Sequence, residues 1–194
     1  MGKIYILLGK SASGKDTVYR RLLADESLKL MPYVGYTTRP IREGEKDGVE
    51  YHFTTVEQMD EYEAAGVLIE KRVYHTVYGD WYYYSVDSGE AAAGQDLLYI
   101  GTLESYKALR DYYGEETVVP IYIEVEDGLR LMRAIERERQ QEKPGYAEVC
   151  RRFLADSEDF SEEKLQEAGI TKRYDNSSLE ICLENIAVSL NRGL

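Results

Sequence analysis

Two periods of apolar and polar positions take turns along this chain. The first apolar stretch, Ile4-Tyr5-Ile6-Leu7-Leu8, is continuous and predicts a strand buried on both faces. A helix over residues 18–24 follows. Residues 33–38 are short and extended, 39–48 are polar and rich in turn formers, and 49–53 alternate as a strand does. Thr55-Val56-Glu57-Gln58 has the form of a capping box, which predicts a helix over about 56–65, stopped at Gly66. Residues 67–78 and 81–86 are rich in β-branched and aromatic side chains, and Gly79-Asp80 between them predicts a hairpin. Leu97-Leu98-Tyr99-Ile100-Gly101 reads as another buried strand. Leu103, Tyr106, Leu109 and Tyr113 recur at helical spacing up to Gly114, and 118–125 is a further strand. Residues 127–142 form a charged helix, broken by Lys143-Pro144-Gly145. One helix over 147–167, a strand over 171–174 and a helix over 179–190 complete the pattern.

Strands alternating with helices predict an α/β fold with a central parallel sheet covered on both faces. The hairpin region is antiparallel in character and predicts a small sheet set apart from the main one. Ligands of such folds bind beyond the carboxyl ends of the strands.

Composition narrows the classes. At 194 residues the chain fits one domain. A net charge of −12 argues against a nucleic-acid or anionic-membrane surface. No apolar run approaches the ~20 residues of a membrane span. A strand at the very start leaves no place for a signal peptide, and Cys150 and Cys182 read as free thiols in a reducing compartment, so a cytoplasmic protein is expected. His52 and His75, the two histidines, have no ligand or triad partner in sight. Oligomeric state is not legible.

The chemistry begins directly after the first strand. Gly9-Lys10-Ser11-Ala12-Ser13-Gly14-Lys15-Asp16-Thr17 stands between strand and helix, the setting a phosphate-binding loop needs. Gly9 and Gly14 let the backbone curl so that amides around Ser11, Ala12 and Ser13 point at phosphate oxygens. The helix N-terminus adds partial positive charge, and Lys15 adds a full one. Such loops place Ser or Thr directly after the lysine, on Mg²⁺. Here Asp16 holds that position and the hydroxyl comes at Thr17, so both are candidate Mg²⁺ ligands.

A second constellation is Thr37-Thr38-Arg39-Pro40-Ile41-Arg42-Glu43-Gly44-Glu45, followed by Val49-Glu50-Tyr51-His52-Phe53. Two arginines three apart in a glycine-bearing loop fork onto one phosphate, and Tyr51 offers a hydroxyl beside them. Taken with the glycine loop, this text resembles the guanylate kinase family, which carries a Thr-Thr-Arg-x-x-Arg-x-Gly-Glu block at this distance. The resemblance is strongest over residues 4–79. It implies a P-loop NTPase-type three-layer fold in a single domain: a core of about 1–32, 95–136 and 153–194, a mixed or antiparallel nucleoside monophosphate-binding insertion of about 33–90, and a helical lid of about 137–152. It implies ATP-dependent phosphoryl transfer, with Mg²⁺, to a nucleoside monophosphate, GMP above others. Another phosphorylated acceptor, such as a ribose phosphate, and a non-catalytic binding module are the alternatives.

By the same resemblance, Arg39, Arg42, Glu45 and Tyr51 match contacts to the acceptor phosphate, and Glu70 matches the carboxylate that pairs with the guanine edge. Tyr78-Gly79 matches a tyrosine-glycine pair, with Asp80 next to it in the acceptor site. Arg133, Arg137 and Arg152 match catalytic lid arginines, and Asn176 an asparagine near the donor adenine. Arg130 and Arg139 read as a solvated face. The departures are specific: Gly35 and Asp80 stand where the family holds guanine O6 with hydroxyls, and Tyr99-Ile100-Gly101 lacks an Asp-x-Asp pair. Either Asp80 meets the base, or it turns away and Trp81 or Tyr82 lines the pocket.

Overall fold

The first apolar run becomes the central strand. In the computed structural model, which describes residues 2–76 and 78–191, all five side chains of β1 (Ile4–Leu8) are buried. Period two then divides them between two cores. A glycine loop leads from β1 into α1 (Lys15–Leu23). β2 (Met31–Pro32), β3 (Tyr36–Thr37) and β4 (His52–Phe53) are short, and α2 (Val56–Ala64) starts on the predicted capping box at Thr55 and Gln58. β5 (Leu68–Thr76) and β6 (Gly79–Val86) form the hairpin. β7 (Leu97–Ile100), α3 (Leu103–Tyr113), β8 (Val118–Glu124) and α4 (Asp127–Arg139) follow. The chain continues with α5 (Tyr146–Asp159), α6 (Glu162–Glu167), β9 (Arg173–Asp175) and α7 (Leu179–Asn191).

β2, β7, β1, β8 and β9 lie side by side in that order, all parallel. Ile4, Ile6 and Leu8 pack with Leu103, Tyr106 and Leu109 of α3 and with Leu165 of α6. Tyr5 and Leu7 pack on the other face with Val18 and Leu22 of α1 and Cys182 and Ile186 of α7. The result is the expected three-layer α/β arrangement. No helix among the described residues is long and apolar enough to cross a membrane.

The second sheet runs β4, β3, β6, β5, mixed in sense. Its own small core is Met59, Tyr84 and Val86 beneath α2. The hairpin has one irregularity. Leu68 pairs with Val86 but Glu70 pairs with Ser85, so Ile69 is an extra residue in β5. A bulge of this kind re-aims the side chains that follow it.

Two predicted spans differ. The strand over 49–53 shortens to β4, with Val49 and Glu50 in a turn where the Val49 N–H donates to the Lys46 carbonyl. The helix over 147–167 splits, because the Ser161 hydroxyl accepts the Lys164 N–H and caps a new helix.

Candidate functional site

The glycine loop is held open at its centre and fastened from behind. Gly14 has φ +86°, and a Cβ there would stand 2.5 Å from Asn176 Nδ2. Only glycine fits both the left-handed backbone and that close approach. Gly14 also precedes α1 with no side-chain cap, and the Thr17 N–H donates to the Gly14 carbonyl, so the Lys15 and Asp16 amides stay available for an anion. Behind the loop, Asn176 Nδ2 donates to the Ser13 carbonyl at 2.8 Å and Arg130 Nη1 to the Ser11 carbonyl at 3.2 Å. The Ser11 N–H donates to Asp156 Oδ2 at 2.8 Å. The Asn176 side chain therefore grips the loop itself through Nδ2.

Arg130 overturns its expectation. It is 1 % exposed, forked between Asp127 and Asp156, and its guanidinium lies 4.2 Å from the Phe153 ring centre. A guanidinium satisfied on its edges and stacked on its face is the form in which arginine tolerates burial. Of the three proposed lid arginines, Arg133 donates to the Asn176 and Ser177 carbonyls, at 3.1 and 3.5 Å. Arg137 is exposed on α4, and Arg152, on α5, lines the main cleft. Burial pushes the Lys15 ammonium below the usual lysine range. Asp16 and Asp156 hold it up, and Arg152 and Arg137 push it down again. Arg137 and Arg152 are thus each within electrostatic reach of Lys15.

That cleft, of about 890 Å³, lies between the glycine loop and the second sheet. Lys15, Asp16 and Arg152 line it at the loop side. Tyr51, Tyr74, Trp81 and Tyr83 line it at the sheet side, and Tyr99 and Thr102 also line it. Among the described residues no three His, Cys, Asp or Glu side chains gather to hold a metal. Asp16, exposed in the first turn of α1, and Thr17 beside it fit a cation that keeps most of its waters and shares phosphate oxygens.

The acceptor-loop arginines behave differently from expectation. Arg39 does not fork onto open space: its Nη1 and Nη2 donate to the two Glu45 oxygens at 2.7 and 2.6 Å, and its Nε to the Tyr83 hydroxyl at 3.1 Å. It lies 5.4 Å from the Tyr51 ring centre and 5.2 Å from that of Phe53. Arg39 is therefore one ring behind the cleft wall, held there by the carboxylate three residues past Arg42. Arg42 itself is exposed, and its backbone N–H also donates to Glu45. Tyr51 does line the cleft.

Tyr78, Gly79 and Asp80 do not line the cleft themselves, though the Tyr78 ring stacks on that of Trp81, which does. Thr76 pairs with Gly79, so Tyr78 is a turn residue at the hairpin tip, 85 % exposed, and Asp80 Oδ1 accepts from His75 Nδ1 at 2.7 Å. Asp80 turns away, and Trp81 takes a place in the lining, as does Tyr83 rather than Tyr82. Glu70 sits behind the wall, its side chain 9 % exposed; Ser85 Oγ donates to it at 2.9 Å and Arg72 Nε at 3.2 Å. Arg72, which sequence reasoning missed, lines the cleft. Its signal was present: two residues past Glu70 in a strand, it shares that face.

A glycine loop leading from the central strand of a five-stranded parallel sheet into a helix, with a cleft at its mouth, defines a P-loop nucleotide-binding α/β protein. A family model described as guanylate kinase matches residues 1–167. A guanylate kinase of Symbiobacterium thermophilum is 33% identical over 168 residues, covering 84% of this chain and 74% of that protein. One of Neisseria meningitidis serogroup A is 37% identical over 112 residues, covering 57% of this chain and 53% of that protein. The chain thus matches about half the length of the Neisseria relative. The crystal structure of guanylate kinase from Anaplasma phagocytophilum superposes with a TM-score of 0.67 at 21% identity, over 98% of this chain and 85% of that one. This chain belongs to the guanylate kinase family.

Proposed function

We propose that this protein transfers the γ-phosphoryl group of ATP to a nucleoside monophosphate, converting GMP to GDP. The observation that carries the reading is one cleft with Lys15 and Arg152 at its loop end and Tyr51, Tyr74, Tyr83 and Arg72 at its sheet end. A triphosphate at the glycine loop and a flat base among the rings would face each other across it. Family membership supports the same chemistry.

In this reading the protein does no covalent work. Catalysis is positioning and charge neutralisation. Within residues 9–17 the Ala12, Gly14, Lys15 and Asp16 amides cradle the donor phosphates, while the Ser11 and Ser13 amides, bonded to Asp156 and the Lys10 carbonyl, shape the loop, and Lys15 neutralises the phosphate charge. Asp16 and Thr17 would hold Mg²⁺, which when bound supplies positive charge to the phosphate oxygens. Tyr51 offers its hydroxyl to the acceptor phosphate, with Arg39 and Glu45 fixing its ring and Arg42 free to approach from the loop. Arg137 and Arg152, within a lid of residues 137–152, bring cations to the transferring group, and Arg133 fixes the backbone after β9 that carries Asn176.

ADP release in the presence of Mg-ATP and each common nucleoside monophosphate tests this. Release with GMP supports it. Release with a sugar phosphate and with no nucleotide, or with no acceptor at all, overturns it.

A further inference from the structure

The tip of the glycine loop carries a strained residue. The Ser13 N–H donates to the Lys10 carbonyl at 3.2 Å, which closes a β-turn over Lys10–Ser13. Its third residue, Ala12, has φ +62°, while Ser11 before it keeps a negative φ. That combination is a type II turn, whose third position calls for a positive φ and so favours glycine. Alanine holds a left-handed backbone only where the surroundings impose it. Its ordinary escape is a half-rotation of the Ser11–Ala12 peptide plane, which gives a type I turn with Ala12 back at negative φ.

Two side chains block that escape. Arg130 Nη1 donates to the Ser11 carbonyl at 3.2 Å, and Asp156 Oδ2 accepts the Ser11 N–H at 2.8 Å. Asp156 Oδ2 also accepts from Arg130 Nη1 at 3.0 Å, so the two hold each other as they hold the loop. A trans peptide points its C=O and its N–H in opposite directions. Fixing the Ser11 carbonyl toward Arg130 therefore fixes the Ala12 N–H on the far side of the same peptide. That N–H has no protein acceptor among the described residues, which leaves it for a donor phosphate.

We propose that Asp156 and Arg130 act as a peptide clamp: they hold the Ser11–Ala12 unit in the orientation that alanine disfavours, and so aim the Ala12 N–H at the phosphates of ATP. Both are positioning residues for the donor. This rests on reading the loop as the ATP site and deepens that reading, by naming what pre-organises its cradle. Without the clamp the peptide would be flipped most of the time, and ATP affinity would fall in proportion to the fraction of loops still formed.

The test is a double-mutant cycle of Ala12→Gly with Asp156→Ala, read by calorimetric binding of Mg-ATP without acceptor and by thermal melts. With Asp156 in place, Ala12→Gly is expected to change the Kd for ATP by less than about threefold, since glycine takes a positive φ as readily as a negative one. With Asp156 replaced, the same substitution should tighten ATP binding by about 5- to 150-fold, the range that one strained residue covers. Each comparison is made at constant charge, so the repulsion between the Asp156 carboxylate and phosphate cancels from the cycle. Stability should not follow. Arg130 stays unpaired with Asp156 in the double variant, whose melting temperature should remain as low as that of Asp156→Ala. Recovered ATP binding without recovered stability is a result that a merely structural role does not produce. Should the alanine variant fail to fold, Asp156→Asn, which removes the charge and keeps the volume, carries the same cycle with a smaller coupling of the same sign. An equal effect of Ala12→Gly in the two backgrounds overturns the proposal. A wild type that does not bind Mg-ATP overturns it together with the ATP reading. ATP bound but passed to no nucleoside monophosphate sinks the kinase reading alone, because the cycle needs only binding.

Discussion

Glu45 receives three hydrogen bonds from two arginines: both ends of the Arg39 guanidinium and the Arg42 N–H. The Arg39 fork and the Arg42 amide hold its carboxyl down to about 2. Unfolded, it would titrate near ~4.3. Between those values the unfolded chain binds more protons than the folded one, so this contact's stabilisation is complete above the higher pKa and fades as pH falls through the lower. Glu45→Gln should therefore lower the melting temperature most at neutral pH, with the gap to the wild type closing from about pH 5 to about pH 2. A gap constant over that range would show that the Arg39–Glu45 fork adds nothing to stability. At this scale the sequence was readable in kind more than in contact. A fork of arginines at 39 and 42 was visible, but nothing in the spacing said that Glu45 would occupy the first of them. Arg72 was open to reading by period two from Glu70, but its place beside Thr102, at a distant strand end, follows from a tertiary contact that a one-dimensional pattern does not carry.

At the scale of elements, α4 and α5 are joined to the glycine loop by Arg130. Its guanidinium meets Asp127 within α4, Asp156 on α5 and the Ser11 carbonyl, so one side chain spans three segments. Arg130→Ala would leave Asp156, largely buried, with the Ser11 N–H and hydroxyl and no cation at contact distance. Breaking a buried pair from one side costs about 3 kcal/mol, so a lower melting point and weaker ATP binding are expected together. An unaltered melt would show that the network is decorative. Tyr78→Ala, at the hairpin tip, is the control. Its removal should leave stability within about 0.5 kcal/mol and GMP use unchanged, as for other exposed positions. A loss of GMP use there would return the tip to the acceptor site. The charged helix over 127–142 was legible from its periodicity, yet which arginine faced inward was not, because Arg130, Arg133 and Arg137 are spaced alike on it. The helix break before Ser161 was missed for a similar reason: a serine cap inside a polar stretch resembles a solvated helix face until the chain is seen to turn.

For the whole molecule, the net charge of −12 and the cations of the cleft are two aspects of one distribution. Lys15, Arg20, Arg72 and Arg152 converge on the cleft from α1, β5 and α5, elements far apart in sequence, while the acidic excess lies elsewhere. The alternation of strands and helices announced the sheet and put the glycine loop at its ligand-binding edge. Convergence of charge from separate elements is a product of topology, and composition pointed, if anywhere, away from it. The same geometry bears on motion. Arg152 borders the cleft while Arg137 stays exposed, and a side-chain hydrogen bond ties the turn between α4 and α5 back to α4, where the Gly145 N–H donates to Glu138 Oε1 at 2.6 Å. We infer that residues 137–152 swing over the cleft when both of its ends carry phosphate, since that many anionic oxygens recruit the nearby guanidinium groups and exclude water. Hydrogen exchange can follow this directly. A non-hydrolysable ATP analogue alone should slow exchange in residues 9–17 with a small effect on 140–146. Adding GMP should then slow exchange through 140–152 as well. If the second ligand protects the insertion around Tyr51 and leaves 140–152 exchanging as before, the segment is a fixed part of the core, and water must be kept from the γ-phosphate by some other element.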